Sequence, residues 1–162
     1  MLGSDPDVKC LIDTSVLVNI QDIHGDSAAI WAAVVQQILS GRLKTVRQVM
    51  GELQTRFPTI HQRLKPHEED FIIPDAEMYT AGVVAEVRII HRDHPKLYRF
   101  MGGANPADPL LIAVAKEIGA IVVTDERTAG PKHKERIPWV CRQRNVGSMD
   151  GTTYLRSIGC NV

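Results

Sequence analysis

With 162 residues, 44% hydrophobic and 23% charged, the chain has the size and composition of one soluble domain (residues 1–162) whose core needs no staples. Nineteen basic side chains offset nineteen acidic ones and aromatics make up only 5%, so neither bulk charge nor stacking platforms announce a nucleic-acid partner. No apolar run reaches membrane-spanning length, the first residues lack signal-peptide anatomy, and three widely spaced cysteines imply free thiols, so the expectation is a cytoplasmic protein with no membrane partner.

The first element is predicted where the apolar run from Val8 stops at Asp13: a short buried strand with one carboxylate at its tip. In open α/β sheets, that carboxyl edge is where ligands bind. A short helix follows over 14–20. Ser27 caps a stronger one over 28–40, with Ile30, Ala33, Val34 and Ile38 at helical spacing and Gly41 as its stop. Residues 43–46 suggest a second strand. Residues 47–56 suggest a helix burying Val49, Met50 and Leu53, with Glu52 near its middle.

Residues 60–69 read as a polar helix or loop, and 71–73 as a strand or a buried connection. Asp75 is expected to cap a long helix over 76–91, ended by His91, Asp93 and Pro95. The stretch 97–103 has no clear period, although Tyr98, Phe100 and Met101 must pack somewhere. The clearest helix spans 107–119, with Asp108 as cap, Pro109 at the first helical position and Gly119 at the end. A buried strand over 120–124 then delivers Asp125 and Glu126. A charged loop, a short edge strand or helical turn over 137–144, and a terminal helix over 150–158 complete the chain. Helices alternating with β-branched runs indicate an α/β fold around a mostly parallel sheet.

Three elements thus send acids toward one sheet edge, and Glu52 lies on a fourth. Singly, each has a structural explanation: Asp13 and Asp108 suit helix caps, Asp125 a turn, and Glu52 a solvated face. Together they would repel one another unless a cation neutralised them. Mg²⁺ takes octahedral oxygen ligands, and two such ions about 3.5–4 Å apart serve in-line phosphodiester displacement. Residues 127–162 hold seven basic side chains against two acids, leaving a segment of +5 beside a remainder of −5. This is either a solvated face or a phosphate-binding rim.

The stretches Leu11-Ile12-Asp13-Thr14-Ser15-Val16, Glu52 in its helix, Ala107-Asp108-Pro109-Leu110-Leu111 and Val122-Val123-Thr124-Asp125 together resemble a PIN domain. Residues 137–141 and the terminal helix resemble a less characterised PIN-like branch. The resemblance implies a three-layer α/β/α Rossmann-like fold, with a core over about 8–125 and a C-terminal extension over about 126–162. It also implies a divalent-metal-dependent endoribonuclease, as in the VapC-type toxins of toxin–antitoxin modules, using Mg²⁺ or Mn²⁺. Carried over, it makes Asp13, Glu52 and Asp108 metal-site carboxylates, with Asp125 favoured as the fourth acid and Glu126 as the alternative. Thr14, Ser15 and Thr124 would be hydroxyls near the metal or phosphate, and Lys132, Lys134 and Arg136 would steady the RNA backbone. A small antitoxin and a homodimer are the partners it implies.

Two other readings compete. A phosphomonoesterase of the haloacid-dehalogenase type also places an Asp after its first strand, but needs a second Asp where Ser15 stands. A non-catalytic PIN-like domain would bind RNA or protein without cleaving. His91 and His94, three apart, suit a helix C-terminus better than a metal. No dinucleotide, P-loop or paired-cysteine zinc pattern is present.

Overall fold

The computed structural model describes residues 9–97, 99–100, 103–104 and 107–162, with the backbone alone at 99–100 and 103–104. In chain order, β1 (Cys10–Ile12) leads into α1 (Thr14–His24), α2 (Ala28–Leu39) and β2 (Leu43–Lys44). Then come α3 (Arg47–Arg56), α4 (Pro58–Leu64), a 3₁₀ turn (Lys65–His67), α5 (Glu68–Phe71), α6 (Asp75–Met78) and α7 (Ala81–Asp93). A small hairpin, β3 (Arg99–Phe100) and β4 (Gly103–Ala104), precedes α8 (Ala107–Ile118) and β5 (Ile121–Val123). The chain continues through a 3₁₀ turn (His133–Glu135), α9 (Ile137–Gln143), β6 (Ser148–Met149) and α10 (Gly151–Ser157).

The central sheet has the order β2-β1-β5-β6 and is parallel throughout. Helices flank it in a Rossmann-like three-layer arrangement. Its register pairs Leu11 with Val122 and Ile12 with Val123, and the Asp13 amide donates to the Val123 carbonyl at 2.9 Å. Leu11, Ile12, Val122 and Val123 are fully buried, as apolar residues must be in strands covered on both faces. One core cluster runs from Leu11 to Leu155 and includes every residue of α8 from Ala107 to Ala115 except Asp108 and Pro109. The buried Thr45 hydroxyl donates to the Ile12 carbonyl at 2.8 Å, tying β2 to the tip of β1.

Several expectations change here. The long helix from Asp75 is two helices, because Tyr79 leaves helical geometry and the Thr80 hydroxyl caps a new start by accepting from the Val83 amide at 3.2 Å. Asp75 pairs instead with Arg47. Asp108 is the second residue of α8, inside its first turn rather than at the cap. Residues 137–143 are helical, with Pro138 in the first turn, and the edge strand falls later, at Ser148–Met149. Ile72 forms a single parallel bridge with Thr45, so 71–73 is a buried connection that touches the sheet. Tyr98 and Met101 lie outside the described residues, as does the Phe100 side chain.

Candidate functional site

The chain leaves β1 toward β2 on one side, while β5 and β6 lie on the other. Loops diverge at this β1–β5 boundary, which opens a crevice at the carboxyl ends of the strands. Asp13 stands at its edge, 5% exposed. It occupies the N-cap position of α1, yet its side chain makes no capping hydrogen bond. Its Oδ2 instead accepts from the Ser15 hydroxyl at 2.7 Å and from the Thr124 hydroxyl at 3.1 Å. The strand register makes the second bond possible, since it sets Asp13 beside Thr124.

Three more acids reach the same crevice, a cleft of about 300 Å³ lined by Asp13, Glu52, Asp108 and Glu126 together with Arg136. Glu52, in the middle of α3, accepts from the Thr14 hydroxyl at 2.8 Å and pairs with Arg56 one turn on. Asp108 is 6% exposed. Glu126 accepts at Oε2 from the Ile137 amide, 2.7 Å away, at the start of α9. Its own amide donates to the Thr124 hydroxyl at 3.2 Å.

Burial raises the carboxyl pKa of Asp13, and Ser15 and Thr124 only partly oppose it. Asp108 is held well above the carboxylate range, first by burial and then by Asp13, Glu126 and Glu52. Glu126 is raised to about 7, by burial and then by Asp13. Arg136 pulls Asp108 and Glu126 down without reversing either shift. Burial and the neighbouring carboxylates therefore outweigh the donors at Asp13, Asp108 and Glu126 and hold all three toward their protonated forms.

Asp125, one residue before Glu126, faces the other way. Its Oδ2 accepts from the Asn19 amide group at 2.8 Å and its Oδ1 from the Gly151 backbone at 2.7 Å, while its own N–H donates to the Ser15 hydroxyl. Ser15 and Asn19 are four apart on α1, so one helix face grips both the backbone and the side chain of Asp125. Gly151 is needed for this contact: a Cβ there would lie 2.8 Å from Val16 and 3.0 Å from the Asp125 carboxylate. Asp125 is a brace between α1, β5 and α10, and Glu126 is the acid that lines the cleft. Glu126, and not Asp125, thus joins Asp13, Glu52 and Asp108 in lining this cleft. Asn19 carries no motif, and its only advance signal is the four-residue spacing from Ser15.

Of the three basic residues expected on the rim, Arg136 lines the cleft. Lys132 is exposed, and Lys134 lies over the Trp139 ring at 5.2 Å. Two other basic residues of the +5 segment have structural partners: Arg144 chelates Glu86, and Arg156 donates to the Val162 carbonyl. His94 ends α7, and burial lowers its pKa.

Among the described residues, no three His, Cys, Asp or Glu side chains are gathered closely enough to hold a metal ion as they stand. The donor set still fits a hard divalent cation. All four acids offer oxygen, three have raised pKa values, and Mg²⁺ itself takes only one or two carboxylates beside water and phosphate. Among the described residues, no helix is long and apolar enough to cross a membrane.

Fold and cleft together define a Rossmann-like α/β protein with an acidic crevice at its topological switch point. The chain belongs to the family described as domain of unknown function (DUF4411), whose model matches residues 10–162. No curated protein matches it.

Proposed function

We propose that the protein is a Mg²⁺- or Mn²⁺-dependent endoribonuclease that hydrolyses RNA phosphodiester bonds. The observation that carries this reading is the gathering of the buried Asp13 and Asp108 and the half-buried Glu126 around one cleft at the sheet's carboxyl edge, each with its pKa raised. Those three carboxylates would hold the cation, and Glu52 would complete the oxygen shell. When bound, the cation would supply Lewis-acid activation of water and neutralise charge on the phosphate. Ser15 and Thr124 both donate to Oδ2 of Asp13, so they orient the carboxylate without occupying Oδ1. Thr14 fixes Glu52 in the same way. Arg136, on the cleft wall, would meet the scissile phosphate. The PIN-like resemblance adds a setting, the toxin of a toxin–antitoxin module with a small antitoxin and a homodimer, as part of the proposal.

One observation favours a second reading, a non-catalytic RNA- or protein-binding domain: the acids have not converged to metal-holding distance among the described residues. The phosphomonoesterase reading has no such support, since the Ser15 hydroxyl is taken up between Asp13 and Asp125. The deciding experiment incubates purified protein with RNA in Mn²⁺, Mg²⁺ or chelator. Cleavage should require the metal, and Asp13→Asn should abolish it while the domain stays folded. Metal-independent cleavage, or an unchanged rate in that variant, would overturn the mechanism.

A further inference from the structure

A second, larger cleft opens on the other side of Glu126, at the carboxyl ends of β5 and β6. It measures about 730 Å³. Such a volume lies within the ~300–1,000 Å³ of clefts that bury a ligand the size of a nucleotide. Glu126 lines both clefts, so whatever occupies one adjoins the other. Met149 and Pro138 contribute apolar surface, and Ser148 and Thr153 contribute hydroxyls. The Asp125 carboxylate on this side is already satisfied by Asn19 and Gly151.

Arg142, also on this wall, is exposed, and its side chain makes no hydrogen bond or ion pair among the described residues. The contrast with Arg144 is local and informative. Two residues further on, Arg144 is chelated by Glu86 and belongs to the scaffold. Arg142 offers an uncommitted guanidinium, which suits phosphate recognition.

We propose that this second cleft holds the nucleoside adjoining the scissile phosphate of a single-stranded RNA, with Arg142 on the next phosphate. The inference rests on the ribonuclease reading and adds a direction to it: the RNA strand crosses Glu126 from the acid cleft toward β6. The base lies against Met149 and Pro138, and the ribose faces Ser148 and Thr153. An unpaired strand is required, because a base must leave its stack to enter.

The test measures binding of a short fluorescein-labelled single-stranded RNA, and of the same sequence as DNA, together with the Mn²⁺-induced thermal shift of the protein alone. The variants are Arg142→Glu and Ser148→Glu. Arg42→Glu is the control, because Arg42 precedes β2 at the opposite edge of the sheet. Both cleft variants should lose about tenfold or more in RNA affinity, the control less than about twofold, and Arg142→Ala should lower the salt slope by about one. The Mn²⁺ shift should persist in all of them, and the DNA should bind more weakly than the RNA.

If the cleft variants track the control while the wild type cleaves RNA, the second cleft is refuted and the ribonuclease reading stands. A wild type that binds Mn²⁺ but no RNA refutes both. Equal binding of DNA overturns the ribose assignment, and loss of the Mn²⁺ shift in both cleft variants would overturn the separation of the two clefts.

Discussion

Glu86 and Asp108 are almost equally buried, at 8% and 6% exposed, and their titrations move in opposite directions. Glu86 on α7 receives both donors of the Arg144 fork, which hold its carboxyl below the usual range. Asp108 on α8 is pushed far above it, first by its burial and then by three other carboxylates. α7 and α8 pack side by side, and what differs is that the Arg144 fork outweighs burial at Glu86, whereas burial and like charge outweigh Arg136 at Asp108. A scaffold carboxylate brings its counter-charge from within the chain. Asp13, Asp108 and Glu126 are instead held toward their protonated forms by burial and by neighbouring carboxylates, and a cation that would reverse this is the physical content of the metal-site proposal.

The largest effect is expected where that contrast is removed at Asp108. Asp108→Asn should reduce metal-dependent RNA cleavage by at least about 100-fold, the upper end of what merely loosening a metal's outer partners costs. It should also erase the Mn²⁺-induced thermal shift, while the metal-free protein melts no lower than wild type, since the substitution relieves repulsion. A lower metal-free melting point would mean that Asp108 belongs to the scaffold.

Glu86→Gln should do the reverse: about 2 kcal/mol of stability lost in urea denaturation, with Mn²⁺ binding intact. Gly151→Ala should cost roughly 1–3 kcal/mol by pressing on Val16 and the Asp125 carboxylate, read by the same denaturation.

The smallest effect, a drift of about 2–4 °C, is a pH dependence with a defined sign. Between the ordinary Glu pKa of 4.5 and about 7, folded Glu126 keeps a proton that the unfolded chain has released. Metal-free stability should therefore fall as pH rises through that window. The Mn²⁺-induced gain should grow over the same range, because the cation favours the ionised carboxylate. Glu86, with its depressed pKa, works the other way: its contribution is complete above the ordinary value and is lost as pH falls below it. Melting curves from pH 4 to 8, with chelator and with Mn²⁺, separate the two, and a metal-free protein that gains stability between pH 5 and 7 would contradict the account of Glu126.

Elements with local chemistry were legible before any coordinates. Ser27 caps α2 by accepting from the Ile30 amide, and β1 and β5 are apolar runs followed by acids. Gly119 ends α8 in the left-handed region that its position implied. Legibility failed where the deciding partner is distant in the chain. β6 has two residues, Ser148 and Met149, neither a strong strand former, and it exists because β5 offers an open edge. The break at Tyr79 was hidden by apolar positions that continue across it. Which of Asp125 and Glu126 lines the acid cleft turned on Asn19 and Gly151, 106 and 26 residues away from Asp125.

The Ser15 hydroxyl donates to Asp13 and accepts from the Asp125 amide, and Asp125 in turn accepts from Gly151. Through one oxygen, the acid at the tip of β1 is linked to α10. Chains are made N-terminus first at roughly 5–20 residues per second. Asp13 is thus made several seconds before Thr124, Asp125 and Gly151. A half-made chain has the acid without its alignment, so under the ribonuclease proposal cleavage would wait until synthesis passes α10.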